Sequence, residues 1–447
     1  MKCKGSYYNF KCTNDNGELL IMNMRTQASI KIKKEDKDFI ESLLVSDTYT
    51  ELDACKYTGL ISGGFVIPDE FDEIKWLEMK NNEVIYGNDT LSVEIIPTDD
   101  CNLRCTYCFE QRMPSCLDEE NEIKIINFLK KQIPKCKQFR LSWFGGEPLL
   151  YPEQVIRISE VANDLCRENK VPMFGEISTN GYNLDVQIFQ QLIRNRITEF
   201  QICLDGPERF HNKSRPHYKN NDSYYKILNN LIAIKEQVKS GCFKIAIRTN
   251  VTPTIEPYMD EHLSELAKYF KDDKRFMVLF QCVRDWGGDR VSDEQIVANE
   301  QAVYKRLYRL ASEKGLNAAG ELNFAPMIGY CRANRRNGFV IDYEAKIHKC
   351  SLSMHSSEFR DIGNIGYISD SGKAIIDEGK QAKWLVSSPI KESCTKCVLY
   401  PFCMGGHCFY SRNIQEKTKC NLYILTMVKE HLYSLDNNNQ INMLTIR

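Results

Sequence analysis

The stretch Leu91-Ser-Val-Glu-Ile-Ile-Pro-Thr-Asp-Asp-Cys101-Asn-Leu-Arg-Cys105-Thr-Tyr-Cys108 decides how this chain is read. Leu91 to Pro97 has the apolar, β-branched make-up of a buried strand, and three cysteines follow its C-terminal end as CxxxCxxC. Three thiolates on one tight loop suit a centre that needs four ligands. A cubane [4Fe-4S] cluster held this way keeps one iron open to a small molecule with an amine and a carboxylate. Zinc or idle reduced thiols are the plainer alternatives. Position weighs against them, because β/α barrels build their active sites on the rim where the strands end.

Outward from this strand, apolar β-rich runs alternate with helical periodicity between about residues 91 and 315, as in βα units on a parallel sheet. Further strands are expected at Phe139 to Phe144, Phe174 to Ser178, Phe200 to Leu204, Ile245 to Asn250 and Phe276 to Val283, making six. Ile123, Ile126, Leu129 and Ile133 have the spacing of one apolar helix face, and Tyr224, Ile227, Leu228 and Leu231 that of another.

The strand ends carry polar signals. After the second strand, Gly145 and Gly146 let the backbone approach a ligand and Glu147 can accept from an ammonium, unless this is an ordinary turn. Ser178-Thr179-Asn180-Gly181 follows the third. After the fourth, Leu204-Asp205-Gly206-Pro207 reads as a strand-ending turn, with His211 as a structural residue and Arg215 suited to bidentate carboxylate binding. Arg248, Asn250, Gln281, Arg284, Asp285 and Trp286 are substrate-side candidates at the same mouth.

At 447 residues the chain exceeds one ordinary domain. Its 59 basic and 60 acidic residues are dispersed, which argues against nucleic-acid binding. No apolar run is long enough to span a bilayer and the start lacks a signal-peptide core, so no membrane association and a cytoplasmic location are expected. Nineteen cysteines in a reducing compartment point to ligands rather than disulfides. Cys3, Cys12, Cys55, Cys116, Cys136, Cys166, Cys203, Cys242 and Cys282 fit no pattern and read as idle thiols. Seven more close the chain: Cys331, Cys350, Cys394-x2-Cys397-x5-Cys403-x4-Cys408 and Cys420. CxxC pairs often hold zinc, but seven cysteines do not divide into complete four-cysteine sites.

The CxxxCxxC loop with Tyr107, the Gly145-Gly146-Glu147-Pro148 turn and the Asp205-to-Arg215 stretch resemble the radical S-adenosylmethionine (SAM) superfamily. The run Cys403-Met-Gly-Gly-His-Cys408 resembles the SPASM extension of its peptide-modifying members. The resemblance implies an α/β fold: a partial (β/α)6 TIM-like barrel at 91–315, a small α+β, winged-helix-like leader-peptide recognition domain at 1–90, and a cysteine-rich iron-sulfur domain at 316–447. It places SAM on the open iron of the Cys101, Cys105 and Cys108 cluster, with Tyr107 near the adenine. Gly145, Gly146 and Glu147 would meet the methionyl amine, and Ser178 and Arg215 would also contact SAM.

Two auxiliary clusters are implied, giving three [4Fe-4S] clusters in all. Cys394, Cys397, Cys403 and Cys420 would hold one; Cys331, Cys350 and Cys408 would hold the other. The second set has three thiolates, since Asn337 stands where some relatives supply a fourth, so an open iron there could take a substrate cysteine. Ala345 replaces a usual glycine, the Cys403 to Cys408 spacing exceeds the usual pattern by one residue, and His407 is a competing ligand.

Before the barrel, Leu19 to Met22 and Ile30 to Lys33 read as short strands. Helical runs follow around Phe39 to Leu44 and Ile74 to Leu77. The expected function is maturation of a ribosomally made precursor peptide, leader plus core, by a 5′-deoxyadenosyl radical that installs a cysteine-derived thioether. An electron donor such as flavodoxin or ferredoxin is implied. Carbon-carbon crosslinking, epimerisation and sulfatase maturation are the alternatives within the class, the last disfavoured by Ser351 where those relatives carry aspartate. A zinc-binding peptide scaffold is the alternative outside it. No catalytic general base is identified.

Overall fold

The computed structural model describes residues 1–54, 56–239, 242–286, 290–318, 325–326, 328–329, 331–355, 360–386, 391–406, 408–409 and 423–444. The chain divides into two compact units. One comprises residues 88–321 and 336–383; the other comprises 1–87, 322–335 and 384–447.

The first unit is built on β7 (Thr90–Ile95), β8 (Gln138–Trp143), β9 (Met173–Thr179), β10 (Ile197–Cys203), β11 (Lys244–Val251) and β12 (Phe276–Cys282). These six strands neighbour one another in the order β12-β11-β10-β9-β8-β7, every pair parallel. All six were expected, because a parallel strand covered by helices on its face must be apolar along its length. The result is a partial β/α barrel with helices in the intervals. Four further strands, β13 (Gly338–Ile341), β14 (Lys346–His348), β15 (Asn364–Ile368) and β16 (Ala374–Ile376), extend the sheet past β7. β13 runs parallel to β7, and β14 to β16 follow antiparallel.

The helix faces were read with mixed success. On Tyr224–Gln237 the expected residues Tyr224, Ile227, Leu228 and Leu231 are all buried. On Glu119–Gln132 the buried face is Glu122, Ile125, Phe128 and Leu129, while Ile123 is 50% exposed. The face turns because Glu122 faces inward, where Arg157 meets its carboxylate through two nitrogens at 2.5 and 2.7 Å.

The second unit carries β1 (Lys2–Gly5), β2 (Asn9–Thr13), β3 (Leu19–Asn23), β4 (Ser29–Ile32), β5 (Thr50–Glu51), β6 (Val66–Pro68) and β17 (Asn442–Met443). They form two sheets, β5-β1-β6 and β17-β4-β3-β2. β3 is buried throughout and feeds two cores. Leu19 and Ile21 join Ile30, Ile32, Ile40 and Leu60, whereas Leu20 and Met22 join Tyr8, Leu77, Val428 and Leu432. This alternation is the two-residue period of a strand covered on both faces. The helix Glu73–Tyr86 starts at Asp72, whose carboxylate accepts from Lys75 N at 3.0 Å. Among the described residues no helix is long and apolar enough to cross a membrane.

Candidate active site

Cys101, Cys105 and Cys108 line one cavity of about 190 Å³ at the C-terminal ends of the barrel strands, together with Tyr107, Gly146, Glu147, Ser178 and Arg215. Two glycines make the loop's foundation possible. A Cβ on Gly146 would lie 2.1 Å from Asp100 O, and Gly145 adopts φ 119° with the Thr98 carbonyl 2.7 Å from where its Cβ would stand. This close approach lets Gly146 N donate to Thr98 O at 3.0 Å and Glu147 N to Asp100 O at 2.8 Å. The turn after β8 therefore holds the segment that leads into Cys101.

Glu147 is 1% exposed and its carboxylate is fully engaged. It accepts from Leu149 N at 2.9 Å, Thr179 Oγ1 at 2.6 Å and Asn180 N at 2.6 Å. Asn180 in turn points its amide at Asn102 Oδ1, 2.7 Å, and at Cys101 Sγ, 3.7 Å. Glu147 thus acts on the cysteine loop through Asn180, a residue the sequence marked only as part of a turn.

A second network fixes Tyr107. Its hydroxyl donates to Asp205 and accepts from Arg215 Nη1 at 2.7 Å and Asn250 Nδ2 at 3.1 Å. Asp205 also accepts from Asn250 N at 2.8 Å, and Arg215 lies 3.8 Å from its carboxylate. Asp205 N donates to His211 Nδ1 at 3.0 Å, so the neutral ring carries its proton on Nε2, 3.1 Å from Ser223 Oγ. Ser223 Oγ in turn donates to Arg215 O at 2.7 Å. Burial holds the His211 ring well below its usual pKa, aided by the Arg215 charge. Burial alone would lower Arg215, yet the surrounding Cys105, Tyr107, Cys203 and Asp205 keep it raised and charged.

The residues fit the group implied by the loop. Burial pushes the Cys108 thiol up to about 12, and Cys101 and Cys105 also rise, burial being the largest cause in each. Such thiols give up their protons only beside a cationic centre. Arg215 Nε is buried with no acceptor among the described residues, a donor left over for an anionic ligand. Ser178 Oγ, at the cavity wall, accepts from Gln201 Nε2 at 3.4 Å.

Sequence reasoning missed several cavity residues. Cys203 and Cys282, read as idle thiols, line it, as does Glu110. Glu110 is 5% exposed and burial raises its carboxyl to about 8, with Asp99, Glu94 and Glu147 adding to the rise. Its place two residues beyond Cys108 was the available signal. Of the substrate-side candidates, Arg248, Asn250, Gln281, Arg284 and Trp286 do line the cavity.

In the other unit, Cys394, Cys397 and Cys403 come together. Burial raises Cys403 first of all, and Cys397 and Cys394 raise it further, while the amides of Gly406 and Gly405 hydrogen-bond it. Met404, at φ 47°, and the two glycines turn the chain so that these amides face back. Cys420 and His407 lie outside the described residues. Cys331 and Cys408 belong to this unit and Cys350 to the barrel unit. Asn337 donates to Asn88 Oδ1 at 3.2 Å.

Residues 95–270 match the family model described as the Radical SAM superfamily. The barrel is a radical SAM catalytic domain. The chain is 22% identical over 351 residues to a cysteine-type anaerobic sulfatase-maturating enzyme of Clostridium novyi, covering 71% of this chain and 87% of that one. Native anSMEcpe with bound AdoMet and Cp18Cys peptide superposes with a TM-score of 0.55 at 20% identity, over 78% of this chain and 99% of that one. Streptococcus suis SuiB bound to the precursor peptide SuiA gives 0.51 at 14% identity, over 94% and 97%. At these identities the two structures show shared fold. Seen as a radical SAM site, the cavity joins the cysteine loop, the Gly145-Gly146 turn and the Tyr107 network on one rim.

Proposed function

We propose that the protein is a radical SAM maturase of a ribosomally made peptide that installs a cysteine-derived thioether. The observation that carries the radical reading is the Cys101, Cys105 and Cys108 loop gathered in one cavity with the Gly146 turn. The chemistry supplied there, when cluster and SAM are bound, is reductive cleavage of SAM to a hydrogen-abstracting 5′-deoxyadenosyl radical.

The chain's own residues do the rest. The three thiols hold the cluster, with Leu103 N donating to Cys101 Sγ at 3.4 Å and Asn180 flanking it. Gly145, Gly146 and Glu147 shape the seat for the methionyl end. Ser178 and Arg215 take its polar groups, and Tyr107 is braced for the adenine. Arg248, Gln281 and Trp286 face the substrate.

A peptide substrate is supported by the relatives: anSMEcpe was solved with a peptide and SuiB with a precursor peptide. The nearness of Cys394 and Cys397 to Cys403 supports one auxiliary iron-sulfur centre, and the remaining C-terminal cysteines supply the case for a second. An open site on the Cys331, Cys350 and Cys408 set would bind a substrate cysteine and lower its thiol pKa. Domain roles follow as proposed: 1–90 for the leader, 91–315 for the radical step, 316–447 for the auxiliary clusters. A flavodoxin or ferredoxin would supply the electron.

Closing a carbon-sulfur bond removes two hydrogens from the peptide. One would leave on deoxyadenosine and the other as a proton, its electron being accepted by the auxiliary iron-sulfur centre that the C-terminal cysteines would hold. The test is incubation of anaerobically reconstituted, reduced enzyme with SAM and a co-encoded cysteine-containing peptide. Deoxyadenosine with a peptide mass loss of about two is expected, the two hydrogens of one new bond. Unchanged mass with deuterium uptake from solvent would replace crosslinking by epimerisation. Metal content separates the scaffold alternative, with about twelve irons for three cubanes against a few zincs.

A further inference from the structure

The sheet β17-β4-β3-β2 is completed at one edge by a strand from the far end of the sequence. β4 pairs antiparallel with β3 on one side, and on the other its edge is taken by Asn442 and Met443, parallel, opposite Ile30 and Lys31. Leu444 N extends the pairing by donating to Lys31 O at 2.9 Å. The two ends of this segment are anchored in different cores. Ile441 is 8% exposed in the cluster of Tyr8, Leu20 and Met22, while Leu444 packs against the cluster of Ile30, Ile32 and Leu60. Between them Asn442 and Met443 are exposed and contribute backbone alone. Gly59 makes room for the leucine, since a Cβ there would lie 3.0 Å from Leu444 Cδ1.

Backbone pairing on an open edge, with one branched apolar side chain entering a pocket, is how a sheet recognises an extended peptide. Here the chain supplies that peptide itself. The contact is slight: two paired residues, in the parallel arrangement that is weaker per residue than the antiparallel one, and one leucine. An edge strand held so lightly is readily exchanged for a longer one.

We propose that residues 442–444 are an internal strand mimic: they close the β4 edge of the free protein and are displaced by an extended peptide that places a leucine-like side chain beside Gly59. The peptide identity rests on the maturase reading above; the self-occupied edge does not. Displacement would couple arrival of the peptide to release of the segment, so the free chain binds peptides more weakly than its edge alone would.

The test uses a fluorescent synthetic peptide of residues 440–447, Gln-Ile-Asn-Met-Leu-Thr-Ile-Arg. A chain ending at Ile441, which keeps the other anchor, is expected to bind it saturably. The full chain should bind at least ~10-fold more weakly, as expected when an intramolecular strand competes at high effective concentration. Leu444→Asp in the full chain should restore binding, and the same change in the peptide should abolish it. Equal binding by the full and shortened chains, or none by a shortened chain with an intact melting transition, overturns the proposal. Hydrogen exchange on the unaltered chain decides the matter even if the variants do not fold. The Leu444 amide should be protected, and excess peptide should expose it; continued protection at saturating peptide overturns the idea. Exchange of this peptide together with no SAM-dependent modification of a co-encoded cysteine-containing peptide would defeat the maturase reading and leave this one standing; modification of that peptide without exchange of this one would do the reverse.

Discussion

Glu147 shows how much a single side chain can govern without touching the reacting atoms. Its three donors are Leu149 N, Thr179 Oγ1 and Asn180 N. Glu147→Gln turns an amide NH2 toward at least one of them, leaving a buried donor unpaired at a cost of about 2 kcal/mol. Urea unfolding should show that loss, and SAM cleavage should fall as Asn180 shifts from Cys101; unchanged stability would mean that the carboxylate is not what holds this loop. His262 offers a pH test. It is fully buried, and because Thr249 Oγ1 donates to Leu204 O, the ring donates from Nε2 and leaves the Nδ1 lone pair with no donor among the described residues. Burial lowers its pKa to about 4. A base kept neutral in the fold but free to protonate near 6.5 when unfolded gives full stability above pH 6.5 and loses it as pH falls toward 4. At pH 5.5 the loss is about 1.4 kcal/mol. His262→Gln, compared with the parent at pH 8 and pH 5.5 by urea unfolding, should lose about that much less on acidification; identical slopes would contradict the assignment. Glu110, raised to about 8, works in the opposite sense and cancels in the comparison.

Elements differ in how legible they were. The six parallel strands announced themselves because burial on both faces demands continuous apolar runs, and their ends delivered Cys101, Gly145, Ser178 and Asp205 to one rim. β13 and β17 are short, and their partners β7 and β4 lie far away in sequence, so no local pattern marks them. On the Glu119–Gln132 helix Leu129, and Ile133 just beyond it, are buried as expected but Ile123 is not, because the ion pair from Arg157 that draws Glu122 inward leaves no apolar signature. Ala345 is the informative departure. Where a glycine was expected, the β13-β14 turn holds alanine at φ 57°, 1% exposed, with its N–H on Asp342 O at 2.9 Å. A left-handed conformation costs a non-glycine residue about 1–2 kcal/mol. Ala345→Gly should relieve more than the loss of one methyl takes away, for a net gain of about 0.5–1 kcal/mol. A lower unfolding midpoint for that variant would show that packing, not backbone strain, dominates the turn.

On the scale of the whole molecule, two separately cored units are built from sequence segments that interleave, and one of them carries the Cys101, Cys105 and Cys108 loop. The dispersed charges gave no sign of a nucleic-acid footprint, and the cysteine spacing pointed to iron-sulfur centres. The barrel site was therefore largely readable, save for Asn180, Glu110, Cys203 and Cys282, whose inward placement depends on tertiary structure. The C-terminal cysteines were readable as a thiol count, and Cys394 and Cys397 lie near enough to Cys403 to raise it. What spacing could not show is that the second unit completes its own sheet with residues 442–443.

The central claim is that Cys101, Cys105 and Cys108 hold the cluster that splits SAM. Deoxyadenosine should be measured from the anaerobically reconstituted, dithionite-reduced protein and from its Cys101→Ala, Cys105→Ala, Cys108→Ala triple variant. The account predicts release by the parent and background levels from the variant, which should retain the iron bound by its C-terminal cysteines. Undiminished deoxyadenosine from the variant would contradict it.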